Sequence, residues 1–272
     1  MAPILSVEGL SVGFMTDAGF RETVHDVSFS VERGKTLCIV GESGSGKSVT
    51  CQAILGLLAR NGRRTSGRIL FEGRDLCAFS EREMETIRGK GIGMVFQDPL
   101  GSLNPVHTVG RQLRETLMLH TDLDEAGRQR RAVELLRMVG IPEPERRLAS
   151  YVHQFSGGMA QRVMIAMAIA CSPQLLIADE PTTALDVTIQ AQILDLLNRL
   201  KTEIGMGILF ITHDLGDVAE MADDVVVMRH GRQVEIGPIR DIFAHPRMAY
   251  TQELLSSMPH LNRKAPVYRE HP

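Results

Sequence analysis

The sequence lacks closely spaced cysteines. Its four cysteines stand singly along the chain, and no two of them form a Cys-x-x-Cys pair: Cys38, Cys51, Cys77 and Cys171. Isolated cysteines are typical of reduced, buried thiols, whereas disulfide frameworks and zinc sites need cysteines in characteristic spacings. We therefore expect neither a disulfide framework nor a zinc site in this chain.

Long apolar runs and an N-terminal leader are also missing. The longest apolar-rich region, residues 163–178, is interrupted by Ser172-Pro173, so it falls short of the roughly 18 continuous residues that mark a membrane span. The first residues show no basic, apolar and small-residue leader. The sequence therefore predicts no secretory signal, and a cytosolic location is the default expectation.

An excess of positive charge is absent as well. The formal net charge is −3, and the 272 residues are 43% apolar and 23% charged, which is ordinary for a globular protein with one large domain or two small ones. Nucleic-acid surfaces are usually basic. We therefore expect no nucleic-acid partner.

The most informative stretch that is present is a glycine-rich motif at residues 41–48. It spells Gly41-Glu42-Ser43-Gly44-Ser45-Gly46-Lys47-Ser48, which fits the P-loop pattern G-x-x-x-x-G-K-[ST]. An apolar run precedes it and a helix-like segment to Leu58 follows it. Such a loop points backbone N–H groups at phosphate oxygens. A glycine-rich turn that binds nothing is the alternative, but Lys47 and Ser48 in register favour ATP and Mg²⁺.

Alternating apolar residues predict an antiparallel sheet in the first part of the chain. Its predicted strands lie at residues 4–7, 11–14, 23–24, 27–31 and 68–71. After residue 97 the pattern changes to helical periodicity, with helices at 109–119 and 126–139. Strands then alternate with helices up to a hairpin around His230-Gly231. This order predicts an α/β fold with a mainly parallel core sheet and an inserted helical subdomain.

Two further features indicate phosphate chemistry. Asp179 and Glu180 end a continuous apolar run, at the carboxyl end where α/β sheets place ligands. Asp179 would hold Mg²⁺ through water, and Glu180 would be the general base that orients the attacking water. Solvated acids at a strand end are the alternative. Ser156-Gly157-Gly158 opens a helix directly, which is either a flexible cap or a second phosphate site, the latter suggesting a partner's nucleotide.

Together these residues resemble the ATPase subunit of an ATP-binding-cassette (ABC) transporter, from Val7 to about Pro259. The matching motifs are the Walker A loop at 41–48, the Q-loop residue Gln97, the signature at 155–159, the Walker B strand at 175–180, the D-loop Ala184-Leu185-Asp186 and the switch histidine His213. The signature departs from the common pattern, with Phe155 and Met159 in place of Leu and Gln.

The resemblance also implies residue roles. Catalysis would involve Glu180, His213, Gln97 and Lys47, with His213 at the γ-phosphate and Gln97 at Mg²⁺ and the water. Mg²⁺ would be held by Ser48, Gln97 and Asp179. Nucleotide contacts would come from residues 41–48, from Asp186 and from the partner's Ser156, Gly157 and Gly158. Phe14 is the choice for stacking on adenine because it ends an early strand, and Phe20 is the alternative.

The implied domain plan is an ABC ATPase domain at residues 1–258, with the helical subdomain and signature lead-in at 98–155. Residues 259–272 are expected to be a loop or disordered tail, because they are polar, contain proline and lack periodicity.

Within the family, the sequences of residues 96–105, 155–168 and 177–187 resemble those of the dipeptide, oligopeptide and nickel importers. Similar sequences occur in glutathione importers and in relatives with two fused cassettes. Tyr250-Thr251-Gln252-Glu253-Leu254-Leu255 and Met258-Pro259 also resemble that subfamily, whose members commonly continue into a cysteine-bearing extension that is missing here. A short nickel-type subunit, a truncated chain and the first half of a fused pair all stay open.

The implied partners are a second cassette, as a different chain or fused, two transmembrane permease subunits and an extracytoplasmic solute-binding protein reached through the complex. The implied location is peripheral, on the cytoplasmic face of the bacterial inner membrane. One alternative is a soluble cassette ATPase that acts on ribosomes or nucleic acid. The single P-loop and the absence of a sustained heptad run argue against it. The other is a non-hydrolysing regulatory cassette, which would lack Glu180 or His213.

Overall fold

A computed structural model describes residues 2–257 of the chain. The strands are β1 (Leu5–Thr16), β2 (Gly19–Val31), β3 (Thr36–Val40), β4 (Gly62–Phe71), β5 (Arg74–Asp75), β6 (Ile92–Val95), β7 (Leu175–Asp179), β8 (Gly207–Thr212), β9 (Asp224–Arg229) and β10 (Arg232–Pro238). The helices are α1 (Lys47–Ile54), α2 (Glu81–Ile87), α3 (Pro99–Ser102), α4 (Val109–His120), α5 (Glu125–Met138), α6 (Pro144–Arg147), α7 (Gly157–Ala168), α8 (Val187–Ile204), α9 (Leu215–Met221), α10 (Ile239–Ala244) and α11 (Ala249–Ser256). Short 3-10 turns lie at Leu76–Ala78 and Val152–Gln154.

The chain divides into two compact units. Of the described residues, 2–79 and 208–257 belong to one unit, and Ser80–Gly207 form the other. This division differs from the predicted helical insertion at 98–155, whose bounds stay a prediction. Among the described residues 98–155, helices and one isolated bridge between Thr108 and Tyr151 occur, without a strand.

The first unit is built on a sheet with the strand order β5-β4-β1-β2-β10-β9-β3-β8. β1 pairs antiparallel with β2 and β4, which confirms the predicted N-terminal antiparallel strands. β3 pairs parallel with β8 and β9. All residues of β3 and β8 are buried, and strands covered on both faces are expected to be continuous apolar runs.

The parallel register of β3 and β8 fixes the position of the loops that follow them. Val40, the last residue of β3, is opposite Thr212, the last residue of β8. Because parallel strands end at the same edge of a sheet, the P-loop and His213 leave the sheet side by side. The sequence could place each residue after a strand, but only the strand pairing makes the two strands neighbours.

The second unit places its predicted motifs on two parallel strands and the helices that follow them. β6 pairs with β7 in the register Val95 opposite Ala178. α7 is rich in buried Ala, Ile, Val and Met side chains and packs against β6, α3, α4, α5 and α8. Gly93 permits this packing, because a Cβ atom there would lie 2.2 Å from the carbonyl oxygen of Ala168.

Most predicted elements are confirmed, with shifts at their ends. The predicted P-loop helix ends at Ile54 rather than Leu58, and Phe14 lies inside β1 rather than at its end. The short helices α2, α10 and α11 were not predicted, although Ser80 and Glu83 form a capping box at α2. The predicted tail at 259–272 lies outside the described residues. None of the described helices is long and apolar enough to cross a membrane.

Candidate nucleotide-binding site

The P-loop of the first unit is held in a conformation that requires glycine. Gly41 has a φ of +158°, and a Cβ atom there would lie 2.1 Å from the carbonyl oxygen of Met228. Gly46 is the N-cap of α1 with a φ of +98°. Glycine alone adopts such backbone conformations at little cost. The glycine spacing of the motif is thus explained by backbone shape and close packing.

Lys47 lies beneath the loop instead of extending into solvent. The residue is only 4% exposed. Its Nζ donates to the carbonyl oxygens of Gly41 at 2.8 Å and Glu42 at 3.0 Å. The ammonium group therefore sits inside the curve of the loop. From there it presents positive charge to an anion that the loop amides bind.

The loop residues fit a phosphate group. The Ser45 hydroxyl oxygen is buried and has no hydrogen-bond partner among the described residues, and buried hydroxyl groups normally have one. A Cβ atom at Gly44 would meet nothing within 4 Å, so the outer side of the loop is open. A phosphate could accept from the Ser45 hydroxyl, from the Lys47 ammonium and from the loop amides.

Gly41→Ala is expected to destabilise the protein by about 3 kcal/mol or more, because it adds left-handed strain and a backbone clash with Met228. Gly44→Ala is the matched control, since its φ is also positive, at +77°, but its Cβ meets nothing; it should cost about 1–2 kcal/mol. Chemical denaturation of both variants measures the difference. Equal losses would mean that the close approach to Met228 does not constrain the loop.

His213 begins the loop after β8. It is exposed, whereas its neighbour Thr212 is 2% exposed. The Thr212 hydroxyl accepts from the Asp214 N–H at 2.9 Å and donates to the buried Asp217 carboxylate at 3.4 Å. Asp214 in turn caps α9 by accepting from the Gly216 N–H at 2.7 Å. These bonds fix the backbone on both sides of the exposed residue His213.

The two candidate aromatic residues lie on the β1–β2 hairpin and contact glycines. A Cβ at Gly62 would meet the Phe14 ring at 2.5 Å, and one at Gly13 would meet the Phe20 ring at 2.4 Å. The Arg63 guanidinium covers Phe20 at 4.7 Å from the ring centroid. Neither contact decides which ring stacks on adenine, so Phe14 stays the prediction.

In the second unit, the Glu180 carboxylate is held by two donors. Gln97 Nε2 donates to Glu180 Oε2 at 3.2 Å, and the Thr183 hydroxyl donates to the same oxygen at 3.0 Å. Glu180 has a φ of +46°, a left-handed conformation that is uncommon for a residue with a side chain. Asp179 before it is 7% exposed. The sequence predicted Gln97 and Glu180 as site residues but missed Thr183.

Ser156, Gly158 and Asp186 lie at the starts of two adjacent helices. The Ser156 hydroxyl caps α7 by accepting from the Met159 N–H at 3.4 Å, and Asp186 caps α8 by accepting from the Ile189 N–H at 3.0 Å. A Cβ at Gly158 would lie 2.6 Å from a methyl group of Ile189, so any other residue there would force the Ile189 side chain to move. Ser156, Gly157 and Asp186 are exposed.

Comparison with known proteins decides the family. A family profile described as "ABC transporter" matches residues 24–183, more than half of the chain. The chain belongs to the ABC transporter family. A second profile, described as "Oligopeptide/dipeptide transporter, C-terminal region", matches residues 234–271 of this ABC protein. The predicted resemblance and the α/β ABC cassette fold are thereby confirmed.

Individual relatives of this ABC protein agree with the profiles. The oligopeptide transport ATP-binding protein OppD of Bacillus subtilis (strain 168) is 55% identical over 259 residues, which are 95% of this chain and 72% of that protein. The dipeptide transport ATP-binding protein DppD of the same organism is 51% identical over 96% of this chain and 78% of that protein. The solved dimer of the ATP-binding cassette MJ0796, bound to ADP and Pi, has a TM-score of 0.77, 26% identity and covers 87% of this chain and 99% of that chain.

The predicted ABC motifs are divided between the two units. The first unit contains the Walker A loop and the switch histidine, and the second contains the Q-loop, signature, Walker B strand and D-loop. Within each unit the structure brings neighbouring motifs together, as with Gln97 and Glu180. The catalytic and binding roles of the individual residues stay predictions.

Proposed function

We propose that this chain is the ATP-hydrolysing subunit of an ABC importer for peptides. The relation that carries the proposal is the 55% identity to an oligopeptide transport ATP-binding protein over 95% of the chain. The "Oligopeptide/dipeptide transporter, C-terminal region" match at residues 234–271 supports the same substrate class. Nickel is the alternative cargo, because the sequence motifs of this chain also resemble those of nickel importers.

The proposed chemistry is phosphoryl transfer to water. In the first unit, the loop amides, Ser45 and Lys47 bind the phosphates, and His213 contacts the γ-phosphate. In the second unit, Glu180 accepts the proton of the attacking water, which bonds to the γ-phosphorus as the bond to ADP breaks. The buried loop position of Lys47 and the two donors on Glu180 support these roles.

The residues that would hold Mg²⁺ are Ser48, Gln97 and Asp179. Bound Mg²⁺ neutralises charge on the phosphates, and oxygen ligands such as hydroxyl, amide and carboxylate groups suit it. Asp179 is 7% exposed at the end of β7.

The proposed assembly contains two cassettes, two permease subunits and an extracytoplasmic binding protein, with this chain as a peripheral subunit on the cytoplasmic face of the bacterial inner membrane. Ser156, Gly157 and Gly158 would complete the nucleotide site of the second cassette. The relative MJ0796 is a dimer bound to ADP and Pi, which supports two cassettes acting together. The second cassette is proposed to be a different chain, and a cassette fused to this one is the alternative.

The test is ATP hydrolysis by the full chain at increasing concentration, alone and with the cassette encoded beside it. We expect a low rate alone, because half of the donors to each nucleotide are absent, and a large rise on adding the neighbour. Lys47→Ala should weaken ATP binding by roughly ten- to hundredfold, through loss of a charged partner of phosphate. Unchanged affinity would contradict the P-loop role.

Reconstitution with the permeases and binding protein separates the candidate cargoes. Stimulation of hydrolysis by peptide and not by Ni²⁺ is expected, and the reverse result would assign nickel. A rate per chain that rises with concentration in the absence of the neighbour would indicate a homodimer. Stimulation by ribosomes or nucleic acid, without response to the permeases, would overturn the importer proposal in favour of a soluble cassette ATPase.

A further inference from the structure

The P-loop is supported from outside the motif by the last residues of β9 and by the turn that follows them. The carbonyl oxygen of Met228 occupies the space beside Gly41, and the Gly231 N–H donates to the Ser45 carbonyl oxygen at 3.0 Å. These contacts support the first and last parts of the loop. The residues between them are exposed, namely Glu42, Ser43 and Gly44. Few contacts therefore hold this part of the loop in one conformation.

One of these few contacts comes from the helix near the end of the described chain. The Tyr250 hydroxyl on α11 accepts a hydrogen bond from the Glu42 N–H at 3.4 Å, across 208 positions of sequence. The Tyr250 side chain is buried, with the residue 5% exposed, and the Arg229 guanidinium covers its ring at 4.4 Å from the centroid. Buried tyrosine hydroxyls usually need a hydrogen-bond partner, and here the partner is a P-loop amide.

The helix that carries Tyr250 is itself fastened to the sheet. Glu235 on β10 accepts from the backbone N–H groups of Arg247, at 2.9 Å, and Met248, at 3.3 Å, directly before α11. Burial raises the pKa of the Tyr250 hydroxyl, so the group is protonated at neutral pH and meets Glu42 as a neutral acceptor. The Glu42 amide is thus tied to a rigid element.

We propose that Tyr250 is a positioning residue for ATP binding, which orders the Glu42 end of the P-loop before the nucleotide arrives. The proposal rests on the proposed function as an ATPase. It also gives a role to a residue inside the segment matched by the "Oligopeptide/dipeptide transporter, C-terminal region" profile. Once ATP is bound, the phosphates themselves order the loop. The contact therefore acts on binding and leaves the chemical step unchanged.

Tyr250→Phe tests this inference because it removes the hydroxyl and keeps the ring under Arg229. In the full chain assembled with its neighbouring cassette, we expect the KM for ATP to rise about three- to tenfold, the range of one lost hydrogen bond, with kcat within about twofold. In the nucleotide-free chain, hydrogen exchange of the Glu42 amide should become faster. Thr251→Val is the matched control, since Thr251 is the next residue of α11 and is also buried.

The outcomes separate the possibilities. Unchanged KM and unchanged Glu42 exchange in Tyr250→Phe would overturn the inference. Equal effects of Tyr250→Phe and Thr251→Val would also overturn it, because general loosening of α11 would then explain both. If Lys47→Ala also bound ATP with wild-type affinity, the proposed function would fail, and Glu42 exchange without nucleotide would still decide the Tyr250 contact.

Discussion

Glu180→Gln is expected to lower the rate of ATP hydrolysis by about 10²- to 10⁴-fold while ATP binding is retained. The side chain keeps its size, but an amide cannot accept the proton of the attacking water. Gln97 and Thr183 both donate to Glu180 Oε2, at 3.2 and 3.0 Å, so the carboxylate is held in one orientation before the reaction. A base that is already oriented contributes more to the rate than a mobile one.

The backbone at Glu180 supports the same expectation. Its left-handed conformation costs roughly 1–3 kcal/mol for a residue with a side chain, and Ala184 nearby is also left-handed, with a φ of +66°. Such strain is concentrated at functional sites. In the proposed mechanism, this conformation would hold the Glu180 side chain where the reaction requires it.

The measurement is single-turnover ATP hydrolysis by the two-cassette assembly, with ATP binding followed separately. The binding step should survive, and the two cassettes should stay associated because ATP is not consumed. Glu145→Gln is a suitable control, since Glu145 is an exposed acid of the same unit that pairs with Arg137 on the surface. Hydrolysis by Glu180→Gln at the wild-type rate would show that another group is the base.

Ser156→Arg is expected to abolish hydrolysis at the partner's nucleotide, by at least about 100-fold, while ATP binding at the variant's own P-loop persists. Ser156 is exposed and is the N-cap of α7, where N–H groups and the helix dipole favour an anion. Arginine there removes the cap, places a cation at the positive helix end and fills the space proposed for the partner's phosphate.

Mixed assemblies give the decisive measurement, with one Ser156→Arg cassette and one wild-type partner. Ser156→Ala is the control, because it removes the hydroxyl, at a capping cost of about 1 kcal/mol, without adding a cation or bulk, so its loss of activity should be smaller than that of Ser156→Arg. If Ser156→Arg removed binding at its own P-loop and spared the partner's nucleotide, the head-to-tail arrangement would be wrong. Equal activity of the Ala and Arg variants would mean that Ser156 faces no phosphate.

The sequence alone determined the elements whose signals are local. The P-loop motif specifies its own backbone, because the close packing beside Gly41 and the left-handed φ of Gly46 admit only glycine. The continuous apolar sequences of β3, β7 and β8 predict central strands, because strands covered on both faces are apolar along nearly their whole length. Family membership followed from several such motifs in one order, and it is confirmed.

Only the tertiary structure decided which distant residues meet. α11 is short and was not predicted, and nothing in its sequence indicates that Tyr250 reaches the amide of Glu42. The donors to Glu180 include Thr183, which a strand-end pattern does not single out. That the buried Ser45 hydroxyl has no hydrogen-bond partner within residues 2–257 also became visible only in three dimensions. Local patterns set backbone shape and burial, whereas hydrogen-bond partners separated by many residues depend on how the strands pair, which no single segment encodes.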